Sequence, residues 1–284
     1  MTAGRVFLLT ALALIAFAAN SVLARLALLH GEIGPWGFTL IRLLSGAVML
    51  AVLVGPGKAR RAGNWVSALA LVAYAGFFSF AYIVLPTGTG ALILFALVQI
   101  TMVGTGLYQG ERLNHWQWTG AGLAMLGLVA LLGPGIGAPS PIGAMAMALS
   151  GVSWGVYSVR GRGAGDPGQN TAGNFGRAAL MASLLAVPVF LIHPETMPST
   201  NGIWLALASG VITSGLGYTI WYMALKGLSA SRAGIAQLSV PALAAAGGVM
   251  VVGEALTLRF VLSSLIILGG IALVMLLTPK RVPK

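Results

Sequence analysis

Ten apolar runs, each close to the length of a bilayer-crossing helix, constrain this chain more than any other feature. They fall at residues 5–29, 35–54, 64–85, 88–109, 115–133, 139–159, 170–192, 201–224, 229–252 and 256–277, divided by Gly, Pro and charged breaks. A bilayer core takes about 20 largely apolar residues per helix, so the expected fold is an all-α integral membrane protein with ten transmembrane helices. The thinnest division is between the third and fourth runs, where only Pro86-Thr87-Gly88 marks a turn. Little chain remains for loops, so no soluble catalytic domain and no catalytic residues are expected. The first run, at residues 6–29, is longer than the apolar core of a signal peptide, and nine more follow it. It reads as a retained helix.

Composition agrees. Only 7% of the residues are charged and 58% are hydrophobic, whereas soluble domains carry roughly 25% charged residues. The 40 glycines suit helices whose backbones approach closely in lipid. There is no cysteine, which excludes disulfides, thiol catalysis and thiolate metal sites, and nothing in the pattern calls for a cofactor or a metal. The net charge of +11 is carried in short loops between the apolar runs. That distribution orients helices by the positive-inside rule and does not form a nucleic-acid-binding face.

The placement of Lys and Arg sets a direction. With the N-terminus inside, Arg5, Lys58, Arg60, Arg61, Arg112, Arg160, Arg162, Lys226, Arg232, Lys280, Arg281 and Lys284 fall on the inner side. Arg25 and Arg259 fall outside, and Arg42 and Arg177 lie within helices. The expectation is a multi-pass protein of a bacterial inner membrane with both termini cytoplasmic.

The chain also repeats itself. Gly110-Glu111-Arg112-Leu113 recurs as Gly253-Glu254-Ala255-Leu256, and Gly127 then matches Gly270 at the same offset. Phe17 and Ser21 match Trp154 and Ser158, Arg42 matches Arg177, and Tyr82 matches Tyr222 if small insertions are allowed. The order of these matches divides the chain into residues 1–134 and 135–284, each with five spans. An odd number of spans inverts the second half relative to the first. Inverted repeats underlie alternating access, with the substrate site between the halves near the midplane.

The doubled Gly-Glu-x-Leu pattern, with Tyr222, Ala224-Leu225, Ser229-Ala230 and Pro241 ahead of its second copy, resembles the EamA family of the drug/metabolite transporter superfamily. The resemblance extends to its YddG branch of aromatic amino-acid exporters. It implies two inverted five-helix repeats around a central cavity, with amino acids or related metabolites as substrates. The first half departs from the pattern, because Val98-Gln99 stands where the second half has Pro241.

Few polar or aromatic groups within the runs are placed to line a substrate path. Phe17 and Asn20 share a face of the first helix, and Trp154 and Tyr157 repeat that spacing in the sixth. Tyr74, Phe78 and Tyr82 form one stripe on the third, echoed by Tyr218 and Tyr222 on the eighth. Together they describe an aromatic-walled site with hydroxyls to orient a ligand. Lipid-facing or ordinary packing roles are the alternative, and Tyr82 and Tyr222 also suit interfacial anchoring. Gln99 and Gln237 need a partner in a neighbouring helix or a ligand, with Gln99 the stronger ligand candidate. Pro241 removes a backbone hydrogen bond and fits a hinge or a static kink. Arg42 and Arg177 lie within reach of helix ends, which favours snorkelling or bonding to loop carbonyls over a substrate carboxylate.

The acidic residues supply an exclusion. Glu32, Glu111, Asp166, Glu195 and Glu254 fall in loops or at span ends, as do His30, His115 and His193. A proton relay places such groups inside the membrane, so carboxylate-based proton coupling is not expected, and Glu111 and Glu254 are expected to cap or pair locally. The function expected is export of aromatic and other apolar amino acids by alternating access. Export of other small metabolites or amphipathic drugs is the alternative, and a channel a further one. The partners are a small-molecule substrate and the lipid bilayer. A homodimer and a monomer are both left open, because small-residue faces such as Gly120 to Gly127 serve either.

Overall fold

The structure, a computed structural model, describes residues 2–110, 112–161, 165–228, 233 and 236–276. The start of the ninth run lies outside the described residues, as do Glu111, Arg162, Ser229, Ala230, Arg232, Lys280, Arg281 and Lys284.

The described residues are helical and contain no strand. The helices are α1 (Ala3–Leu29), α2 (Pro35–Val54), α3 (Pro56–Arg61), α4 (Trp65–Tyr82), α5 (Thr87–Tyr108) and α6 (His115–Leu132). They continue as α7 (Pro141–Gly161), α8 (Pro167–Ile192), α9 (Thr200–Ala208), α10 (Gly217–Leu225), α11 (Val240–Gly247) and α12 (Leu258–Leu276). A π-helical segment, Ser209–Leu216, joins α9 to α10 without a break, and a second, Gly248–Val252, extends α11. Among the described residues seven helices, with α9 to α10 counted as one, are long and apolar enough to cross a membrane, and Val240–Val252 and Leu258–Val274 are shorter apolar helices.

Local chemistry sets the boundaries. Pro35, Pro56 and Pro167 open their helices in the first turn, where a missing N–H costs nothing. The Asn64, Asp166 and Ser199 side chains accept from the backbone N–H groups of Ser67, Gln169 and Gly202, satisfying donors that the helix leaves free. Asn114 and Gln117 form a reciprocal capping box at α6. The basic stretch at Lys58 to Arg61 forms the short helix α3, where the sequence led us to expect a loop.

Outward faces carry exposed apolar side chains such as Phe7, Val48, Leu126, Leu184, Met250 and Leu265. Water would penalise a belt of this kind, whereas a hydrocarbon environment accepts it. Inside, α6 packs on α12, α2 on α8, α5 on α11, α4 on α7, and α1 on α9, the first π segment and α10. Close approach depends on small residues. A Cβ on Gly120 would stand 2.6 Å from the Gly270 carbonyl oxygen, so the small-residue face of α6 is spent on α12 within the chain. The proline singled out as a hinge, Pro241, stands in the first turn of α11, immediately after a turn at Leu238-Ser239.

Candidate functional site

At the centre of the bundle α1, α4, α5, α7 and the first π segment face one another around a cavity of about 30 Å³. Phe17, Asn20, Ser21, Tyr74, Phe78, Leu94, Phe95, Trp154, Thr213, Tyr218 and Gln237 line it. That volume holds a water or two and is far below the roughly 300 Å³ of a drug-sized ligand site. The bundle is therefore closed down upon its centre.

Aromatic rings form most of the wall. Trp154 stacks on Tyr218 at 5.2 Å and on Tyr157 at 5.3 Å, and it meets Tyr74 at 4.8 Å. Phe17 meets the edges of Tyr218 and Trp221, both at 5.7 Å. Phe78 contacts Tyr74 at 5.6 Å and, edge-on, Tyr82 at 4.7 Å. These are the offset and edge-to-face arrangements that ring quadrupoles favour. The series links first-half helices α1 and α4 to second-half helices α7 and α10.

The polar part of the wall is tied down as well. The Asn20 side-chain oxygen accepts from the Ser209 hydroxyl at 2.7 Å and the Thr213 hydroxyl at 3.0 Å. Asn20 thus clamps α1 to the π segment, where Ser209 and Thr213, four residues apart, meet the same acceptor.

Of the side chains expected to line a substrate path, the structure places Phe17, Asn20, Tyr74, Phe78, Trp154, Tyr218 and Gln237 in the wall. Tyr82 stands behind Phe78, buried, and its hydroxyl donates to the Thr87 carbonyl. Tyr157 lies behind Trp154, and the Tyr222 hydroxyl accepts from Thr171. Gln99 is buried one helical turn beyond Phe95 and is not part of the wall. Ser21, Leu94, Phe95 and Thr213 line the cavity unanticipated. For Leu94 and Phe95, an apolar run on a helix buried on every side offers no face to choose.

The charged residues correct the expectations most. Arg42 does not reach for a helix end. It is 1% exposed, donates from Nε to the Ser214 hydroxyl at 3.2 Å and from Nη2 to the Tyr74 hydroxyl at 3.0 Å, and lies over the Tyr74 and Phe78 rings. Arg177 does bond to carbonyls at and beyond the end of α3, those of Arg60 and Ala62, and to Gly173 in its own helix. Arg25, assigned from the sequence to the outer side, is buried and ion-paired to Glu254 at 2.9 Å. Its Nη1 also donates to the carbonyls of Tyr82 and Ile83, both at 2.9 Å. The second carboxylate oxygen of Glu254 accepts from the Thr87 backbone N–H at 2.8 Å, which caps α5. The expected capping role is real, but its partners are more than 160 residues away in sequence. Arg25 is one turn beyond Ser21, and Tyr82 one turn beyond Phe78. The pair therefore lies one helical turn beyond one end of the ring-lined centre. A larger hollow of about 280 Å³, with Glu254 and Phe260 on its wall, lies on the far side of the pair, among residues 84–89, 137–140 and 254–257.

Comparisons with known proteins agree with this architecture. The EamA-like transporter family matches residues 141–276. An uncharacterised protein of Pseudomonas aeruginosa is 48% identical over 275 residues, 95% of this chain and 94% of that one. The aromatic amino acid exporter YddG of Ancylobacter novellus is 26% identical over 283 residues, 94% of this chain and 98% of that one. A crystal structure shares the fold with a TM-score of 0.64 at 23% identity, covering 94% of this chain and 97% of that one. With several apolar helices around a ring-lined centre, the chain is a multi-pass membrane protein and belongs to the EamA-like transporter family.

Proposed function

We propose that the protein exports amino acids with aromatic or other apolar side chains across a bacterial inner membrane by alternating access. One observation carries the reading. Rings from both halves of the repeat, Phe17, Tyr74 and Phe78 from the first and Trp154 and Tyr218 from the second, converge on one central cavity. A wall of this kind receives a planar or apolar side chain, with the Tyr hydroxyls, Asn20 and Gln237 to orient it.

Ten spans in two inverted halves of five, both termini cytoplasmic, complete the proposal. Helix pairing supports the inversion. α2 on α8, α5 on α11 and α6 on α12 each join a helix to its own counterpart, and α4 on α7 is matched by α9 to α10 on α1. In this orientation Arg25 and Glu254 close the outward end. The halves rock about the centre, so that the solute leaves when that closure parts. The solute moves without a carboxylate relay, a reading supported by a cavity wall in which no Asp, Glu or His stands among the described residues. The relative's name, an aromatic amino acid exporter, supports the substrate class. Export of other small aromatic metabolites is the second reading, favoured by a wall that offers more ring surface than polar groups.

The test is flux of labelled phenylalanine and tryptophan in proteoliposomes, with and without a pH gradient. Saturable flux that is the same in both conditions is expected. Absence of flux for either amino acid contradicts the substrate, and strict dependence on proton flow contradicts the coupling.

A further inference from the structure

Arg25 and Arg42 are buried and Arg177 is half-buried, and the three differ in how their charge is met. Arg25 has the carboxylate of Glu254, the single ion pair among the described residues, while Arg177 has three carbonyl oxygens. Arg42 has neither. Two hydroxyls accept from its Nε and Nη2, two rings lie 5.1 and 5.0 Å from its guanidinium carbon, and its buried Nη1 meets no acceptor among the described residues. The Tyr218 hydroxyl also faces the guanidinium, close enough to interact by charge and as a long hydrogen-bond partner, although no acceptor lies within hydrogen-bond geometry of Nη1 among the described residues.

A cation out of water is costly unless paired. Hydroxyls and ring faces compensate part of that cost, and a neutral side chain would join α2, α4 and the π segment without incurring it. Tyr74, Phe78 and Tyr218, the groups around the guanidinium, all line the central cavity. Arg42 therefore stands one ring's depth behind the wall. A cavity of about 30 Å³ admits no solute until those rings part, and parting Tyr74 from Phe78 uncovers the guanidinium.

We propose that Arg42 is the anion-binding residue of the transport site and takes the carboxylate of a solute whose apolar part lies among the rings. This rests on the transport reading above and narrows it. The Nη1 and Nη2 fork matches a carboxylate in two-point geometry, and the solute's charge neutralises the buried cation. The substrate class is then a carboxylate-bearing solute with an aromatic or apolar side chain. Aromatic amines without a carboxylate are poor substrates.

The test is equilibrium binding to the purified full-length protein in detergent, using phenylalanine, 3-phenylpropionate and 2-phenylethylamine. Native protein, Arg42→Lys and Arg42→Gln are compared, each checked for monodispersity and thermal midpoint. Phenylalanine and 3-phenylpropionate are expected to bind the native protein at least about 30-fold more tightly than phenylethylamine. That preference is expected to disappear in Arg42→Gln and to survive in part in Arg42→Lys. Equal binding of phenylethylamine and phenylalanine to the native protein overturns the assignment while leaving the transport reading in place, and it does so even if Arg42→Gln fails to fold. A carboxylate preference retained in full by a folded Arg42→Gln overturns it as well. Native protein that binds none of the three removes the amino-acid reading, and the role of Arg42 with it.

Discussion

Trp154 and Tyr218 each touch three other rings, and one of the three in each case, Tyr74 for Trp154 and Phe17 for Tyr218, comes from the first half of the chain. Such ring pairs contribute about 0.5–1.5 kcal/mol beyond the area they bury. Trp154→Leu keeps an apolar side chain but removes the face that Tyr218 stacks upon. Its KM for phenylalanine in proteoliposomes is expected to rise about tenfold with little change in thermal midpoint; an unchanged KM would show that the ring is packing alone. At this scale the sequence is informative where helical spacing decides the answer. Tyr74 and Phe78 share a face because four residues nearly complete one turn. It is uninformative where rotation of the helix against its neighbours decides. Nothing in the chain indicates that Gln237 meets the cavity while Gln99 does not, since both are single amides in apolar runs. Arg42 was ambiguous for another reason. Its distance from the helix end permits snorkelling, and it is Tyr74, Phe78 and Ser214, the last 172 residues away, that hold it inward.

The helices themselves were largely legible, because a membrane-spanning run is a long signal and its ends carry Pro, Asn, Asp and Ser caps. The π segment Ser209–Leu216 was not. It leaves no periodic signature in so short a stretch, yet it presents Ser209 and Thr213 to Asn20 and Ser214 to Arg42. The matched Gly127 and Gly270 indicated close helix packing but not its partner, which proves to be α6 on α12. At Gly270 an added Cβ would stand 2.6 Å from the Ala124 backbone nitrogen. Gly270→Leu is expected to separate the two helices and to cost about 1–3 kcal/mol, seen as a lower thermal midpoint in detergent; an unchanged midpoint would mean that the contact is not close. The closure at Arg25 and Glu254 belongs to this scale too, since it joins the ends of α1 and α4, the start of α5 and the loop after α11. Glu254→Gln weakens charge-assisted hydrogen bonds of about 1.5–3 kcal/mol each and favours the state open at that end by roughly tenfold or more. Labelling of a cysteine introduced as Ser21→Cys by an impermeant outer reagent is expected to rise accordingly. No rise would show that the ion pair stabilises the fold without acting as a closure.

For the whole molecule, the strongest feature of the sequence was its repeat, and the strongest feature of the structure is how the repeated helices pair. Each explains the other. In the proposed function two halves of opposite sense hold one central cavity between them, and two states related by exchange of the halves expose it to one side and then the other. On that proposal the bond between Arg25 and Glu254 breaks in the exchange, whereas the packing of α6 on α12 need not. The chain has no native cysteine, which makes the exchange directly measurable. Cysteines introduced one at a time as Ser21→Cys and Thr213→Cys, in oriented membranes, are exposed to an impermeant maleimide from each face in turn. Both positions are expected to be labelled from both faces, and saturating phenylalanine is expected to slow the labelling. Labelling confined to one face at both positions would contradict alternating access through this cavity.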